Sequence, residues 1–183
     1  GGDVAFDGTS FLFTAAVAGA ITPTPGQVYA WGINRGAGTP RIDLLRDPDI
    51  APGVLFDAVV VMLPNGLLSV VTIPIAGPPT ATNFAGGTTI SGNTLSASVP
   101  LSLLFSTGFA PEDYTFGLWS RTRVDPLVDG TNNEIADFLQ GSGSLNARAV
   151  PEPATWLTML LGFGFAGGVI RSSKRRNLAA RVS

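Results

Sequence analysis

Hydrophobic positions along this chain recur at every second residue, in short runs separated by Gly, Pro, Asn and Asp. That is the period of half-buried strands rather than helices. Phe11–Val17 is predicted as a strand, and Gln27–Asn34 as a second, with Tyr29 and Trp31 among its apolar positions. Arg41–Arg46 alternates charge with Ile42 and Leu44, the pattern of a half-exposed strand. Val54–Leu63 is the most apolar run and is expected to lie centrally. Pro64-Asn65-Gly66 predicts a hairpin, with Asn-Gly favouring a type I′ turn, and Leu67–Ile75 pairs back antiparallel. Ala76–Ala85 reads as a Pro/Thr-rich loop. Thr88–Ile90 and Thr94–Val99 form a second hairpin around Ser91-Gly92-Asn93. Pro100–Phe105 suits a short helical turn, because proline fits a first helical position. Asp113–Ser120 is a strand with Tyr114, Phe116 and Leu118 on one face and Thr115, Gly117 and Trp119 on the other. Asp125–Asn133 is a polar loop and Glu134–Leu139 a last or penultimate strand. Gly141–Ala149 reads as an exposed, flexible linker. About eight short strands with turn signals between them imply an all-β fold, an antiparallel β-sandwich or jelly roll. No internal repeat is evident.

The pattern changes at the end of the chain. Ala154–Ile170 carries no charge and only two hydroxyls, Thr155 and Thr158. As a helix it spans ~25 Å, the short end of what crosses a bilayer core. Gly162, Gly164, Gly167 and Gly168 disfavour a water-exposed helix but are tolerated in lipid, where small residues allow close helix approach. Trp156 sits at one end, suited to the headgroup region, and Arg171, Lys174, Arg175 and Arg176 sit at the other. By the positive-inside rule the basic end stays cytoplasmic and residues 1–150 lie outside the inner membrane. A buried core helix is the plainer alternative, but such a helix rarely lacks a polar face and then ends in four cations. Ahead of the helix stands Pro151-Glu152-Pro153. Each proline fixes φ, removes a donor and pushes its predecessor toward extended backbone. The segment is therefore accessible to an enzyme; Glu152 adds a charge that a plain rigid linker does not need. The chain divides into residues 1–140 as an exported β domain, 141–150 as linker, 151–176 as motif, helix and basic cluster, and 177–183 as tail.

Pro151-Glu152-Pro153, Trp156, Leu160-Leu161-Gly162-Phe163-Gly164 and the closing basic cluster resemble the PEP-CTERM sorting signal of Gram-negative envelope proteins. The resemblance covers about residues 150–176. It implies recognition by exosortase, an integral-membrane cysteine transpeptidase-like enzyme. It further implies cleavage near Pro-Glu-Pro and release or transfer to the outer surface, often alongside exopolysaccharide and biofilm gene sets. Leu157 stands where the Trp-containing subtype usually has Ala, Thr158-Met159 where Met-Met is common, and Asn177–Ser183 extends past the usual end. These departures bear on subtype and processing efficiency rather than membership. The family also implies an N-terminal signal peptide, so a sequence opening Gly1-Gly2-Asp3 reads as mature or truncated. Ser10–Ala20 ends in Ala18-Gly19-Ala20, like a signal-peptidase site, but Asp3 and Asp7 before it have the wrong sign for a signal n-region.

Composition narrows the chemistry. The chain of 183 residues has no Cys, hence no disulfide framework, thiolate metal site or Cys nucleophile, and no His, hence no Ser-His-Asp triad. Six of the 11 basic residues precede the end of the helix, against all 13 acids. The exported part is therefore acidic, which argues against nucleic-acid binding. Three candidate chemistries remain. Asp125, Asp129, Asn132 and Glu134, with Asn133 and Asp137 nearby, could hold calcium with hard oxygen ligands, but the spacing is not that of an EF-hand and these are ordinary turn residues. Trp31 and Trp119 could stack on sugars from an exposed sandwich face, with Arg121 and Arg123 beside them for an acidic polysaccharide; the plainer reading puts aromatics in the core. Paired carboxylates could hydrolyse glycosides, but no two acids are placed together by the sequence. The expectation is a non-enzymatic, exported, cell-surface or extracellular-matrix protein without a cofactor. A surface carbohydrate-binding module, a permanently anchored single-pass envelope protein and a hydrolase are the alternatives.

Overall fold

The computed structural model describes residues 1–24, 26–40, 53–122, 135–138 and 144–150. Predicted elements on 41–52, 123–134 and 151–183 lie outside the described residues, including the Arg41–Arg46 strand and the sorting helix. Among the described residues no helix is long and apolar enough to cross a membrane. The chain divides into two units, Gly1–Ala149 and Val150–Ser183.

The first unit is built from strands β1 (Gly2–Phe6), β2 (Ser10–Ala16), β3 (Gln27–Asn34), β4 (Thr39–Pro40), β5 (Leu55–Phe56), β6 (Ala58–Met62) and β7 (Leu68–Thr72), followed by β8 (Thr80–Phe84), β9 (Thr89–Ser91), β10 (Thr94–Pro100), β11 (Thr115–Thr122), β12 (Ile135–Phe138), β13 (Leu145–Asn146) and β14 (Arg148–Ala149). A five-stranded sheet runs β14-β1-β2-β10-β9, and a larger one β12-β11-β3-β6-β7-β8, with β13 also on β11. β4 and β5 pair separately. The pairings are antiparallel except β1 with β14.

Period-two alternation turns one face of each sheet inward. Val4, Phe11, Phe13, Ala15, Leu95, Ala97 and Val99 meet Tyr29, Trp31, Ile33, Val60, Met62, Val70, Tyr114, Phe116 and Leu118 in one core. Aromatic contacts join the layers: Phe13 lies 5.7 Å from Trp31 and 5.8 Å from Phe116, and Phe11 stacks on Tyr114 at 5.5 Å. Ring contacts of this kind add about 0.5–1.5 kcal/mol each beyond area burial. The Tyr114 hydroxyl donates to the Leu104 carbonyl at 2.9 Å, anchoring the 3-10 turn Leu101–Leu103 that Pro100 opens.

Four sequence expectations need correction. Val54–Leu63 is two strands, because Asp57 interrupts it: its N–H donates to Ile33 O and its side chain is buried, so the chain leaves one pairing and enters another there. The Pro64-Asn65-Gly66 turn is not type I′. Gly66 N–H bonds Leu63 O, which puts Pro64 and Asn65 at the turn's centre, and Gly66 follows at φ +89°. Proline at the second position imposes a negative φ that type I′ forbids. The predicted loop 76–85 contains β8, paired to β7 from Thr80 opposite Thr72 to Phe84 opposite Leu68. Finally, the 141–150 linker is not a linker at its end: residues 145–149 pair into both sheets.

Candidate functional site

The described end of the domain is a clasp. Leu145 and Asn146 pair with Phe116 and Thr115 of the larger sheet. After Ala147, which packs on the core, Arg148 and Ala149 pair with Ala5 and Phe6 of the smaller sheet. The chain thus crosses the sandwich within a few residues and stitches its layers together. Arg148 Nη2 donates to Asp3 Oδ2 at 3.1 Å. Both side chains are more than half exposed, so this pair positions rather than stabilises. Backbone pairing and the partial burial of Leu145 and Ala147 against the core hold the clasp. Val150 is partly exposed, and Pro151 follows it directly. The first unit ends at Ala149, two residues before Pro151-Glu152-Pro153 in the sequence. Those residues, Ala154 to Ile170 and the basic cluster Arg171, Lys174, Arg175 and Arg176 lie outside the described residues.

The alternative reading of Trp31 and Trp119 as an exposed sugar-stacking pair is not met, and the plainer core reading holds. Trp31 is 0% exposed and Trp119 6%, and they occupy opposite faces of the larger sheet, Trp31 in the main core and Trp119 in a second cluster with Ala30, Val54 and Phe56. The alternation read along β11 is correct. The outward face is nevertheless covered, because the chain around Val54–Phe56 packs back onto it. Gly32 and Gly117, register partners on β3 and β11, make the room. A Cβ on Gly32 would meet Trp119 Cζ3 at 2.8 Å, and one on Gly117 would meet Val54 Cγ1 at 2.9 Å. Phe56 and Trp119 rings lie 5.5 Å apart over this floor.

The calcium candidates Asp125, Asp129, Asn132 and Glu134 lie outside the described residues. Among the described residues no three acidic side chains come together to hold a metal.

One buried polar centre went unread in the sequence. Arg35 and Asp57 are 2% and 1% exposed. Asp57 Oδ1 accepts from Arg35 Nε at 2.9 Å and Arg35 N at 3.2 Å. Asp57 Oδ2 accepts from Ala37 N at 3.2 Å and from the Thr107 hydroxyl. Arg35 Nη1 donates to Phe105 O and Nη2 to Asp57 O, both at 3.1 Å, and its guanidinium lies 5.4 Å from the Phe105 ring centre. Each carboxylate oxygen is already engaged by two donors, so the pair ties β3, the β5–β6 break and the 105–109 loop together rather than presenting a reactive group. A lone acid within the most apolar run was the signal that could have revealed it.

An open cleft of about 750 Å³ lies where β2 leaves the sandwich, lined by residues 16–20, Gln27, Tyr29, Ser120 and Arg121. Gln27 Nε2 donates to the Tyr29 hydroxyl at 2.8 Å, and burial raises the Tyr29 phenol above its usual pKa. Among the described residues no carboxylate side chain lines the cleft.

Comparison with known families matches the PEP-CTERM protein-sorting motif at residues 149–176. The match begins at Ala149, the last residue of β14. No curated protein and no solved structure matches the chain. The motif supports an exported, sorted protein, with exosortase-dependent processing, a membrane-associated stage and a cell-surface or extracellular destination.

Proposed function

We propose that residues 1–149 are a non-enzymatic β-sandwich cargo, carried across the inner membrane, held there by the helix 154–170, and separated from it by exosortase near Pro151-Glu152-Pro153. The carrying observation is the coincidence of the motif match at 149–176 with the end of the fold at Ala149. Sorting motif and folded domain share only Ala149, and Pro151-Glu152-Pro153 follows the last described strand, so cleavage there leaves every described strand intact. Arg171, Lys174, Arg175 and Arg176 keep the far end cytoplasmic until cleavage. After release the domain joins the cell surface or the extracellular, exopolysaccharide-containing matrix. The buried indoles favour a structural matrix component over a sugar-stacking module.

Fractionation of host cells with and without exosortase tests this reading. The domain is expected at the surface or in the medium of the normal host, and in the inner-membrane fraction of the strain lacking the enzyme. Equal surface exposure in both strains would overturn the reading and favour a permanently anchored protein.

A further inference from the structure

Between Asp57 and Glu112 the chain contains no charged residue. This stretch supplies β6, β7, β8, β9 and β10, including β8 and β9 at the ends of the two sheets. Natural proteins usually protect such edges with charged side chains, an in-strand proline or a bulge. β8 (Thr80–Phe84) has none of these. All five of its side chains are exposed, it pairs in unbroken register with β7, and among the described residues its second edge pairs with nothing. Pro78-Pro79 before it and Gly86-Gly87 after it confine the open edge to those five residues. The flank adds exposed apolar surface at Ile75, 91% exposed, and at Phe84.

We propose that β8 is a homotypic docking edge, pairing antiparallel with β8 of a second copy of this chain so that the two larger sheets become one. The identity of the occupant follows from charge and sequence. A polyanion or a charged peptide finds no counter-charge anywhere on β6–β10, whereas an identical edge meets no like charge. A two-fold axis at Thr82 sets Thr82 against Thr82, Ala81 against Asn83 and Thr80 against Phe84. Threonine pairs and aromatic–β-branched pairs are favourable across antiparallel strands. The contact is self-complementary and closed, as a two-fold interface requires.

The absence of Cys from the sequence makes the test direct. Residues facing each other across an antiparallel pair have Cα atoms about 4.5–5.5 Å apart, within the roughly 4.4–6.8 Å span of a disulfide. Single cysteines are introduced by Thr80→Cys, Ala81→Cys, Thr82→Cys, Asn83→Cys and Phe84→Cys in the full chain, with Ser98→Cys on the exposed face of β10 as control. Mild oxidation is read on a non-reducing gel. Thr82→Cys is expected to shift most of the chain to twice its mass, with Ser98→Cys remaining single. Thr82→Lys and Thr82→Glu, both at an exposed side chain, are each expected to lose the dimer in light scattering and to regain it when mixed. The proposal is overturned if none of the five β8 cysteines cross-links above Ser98→Cys. It is also overturned if the Lys and Glu variants remain dimeric alone, or if oxidation in host extract joins β8 to a chain of different mass.

Discussion

Asp57→Ala removes one half of a buried ion pair, and its cost can be worked from the contacts. Arg35 would keep its bonds to Phe105 O and to the backbone carbonyl at position 57, both 3.1 Å, but would lose its charge partner while only 2% exposed. Breaking such a pair from one side costs about 3–5 kcal/mol, because a guanidinium stays buried without compensation. The Ala37 N–H and Thr107 hydroxyl lose an acceptor too, but they are nearer the surface and turn to water. The surviving bonds place the expected loss near 3 kcal/mol, a large share of the roughly 5–15 kcal/mol that holds a domain folded. Urea unfolding followed by tryptophan fluorescence is a suitable assay, since Trp31 and Trp119 are both buried. The double variant Arg35→Met with Asp57→Ala should recover at least part of the loss, because an apolar replacement of a buried pair is often neutral. A loss below about 1 kcal/mol for Asp57→Ala, or a double variant whose cost is the sum of the two singles, would refute the reasoning.

Three further outcomes are expected. Gly32→Ala places a methyl 2.8 Å from Trp119 Cζ3 and should destabilise by about 1–3 kcal/mol with a changed Trp119 emission; an unchanged melting temperature would count against the packed outer floor. Asp7 is held below the usual carboxylate pKa, first by the Thr9 N–H, then by the Thr9 hydroxyl and Ser10 N–H, so its support of the β1–β2 turn is present above the unfolded-state value and lost as pH falls through the folded one. Asp7→Ala should flatten that acid limb in a pH series of unfolding curves. Burial raises the Tyr29 and Tyr114 phenols above 10.0, so the unfolded chain ionises first and stability is complete below that value, falling as pH climbs past it; Tyr114→Phe should shrink the alkaline loss.

The sequence was most readable where a strand alternates locally. Gln27–Asn34 matches β3 at both ends, the Ser91-Gly92-Asn93 hairpin and the turn after Pro100 are present, and the face assignment on β11 holds. What escaped reading depends on distant partners. β8 has no alternation because both of its faces are exposed, so nothing in Thr80–Phe84 separates an edge strand from a loop. β13 and β14 are two residues each and exist through pairing with β11 and β1. Trp119 faces outward as alternation predicts, but Val54 and Phe56 return onto the Gly32–Gly117 floor and pack against it, a contact between distant parts of the chain. The sorting segment was legible because its signals are consecutive in the chain: the proline pair, the apolar run and the basic stop follow one another without a gap.

We infer that the segment after Ala149 is a sorting signal removed from a finished domain. Intact mass of the protein recovered from its native host, beside that of a Glu152→Ala variant, tests it most directly. The account predicts that the mass of the native chain lacks everything after the Pro151-Glu152-Pro153 region while the variant retains it. A helix kept on both would contradict the account, leaving a single-pass protein anchored through residues 154–170.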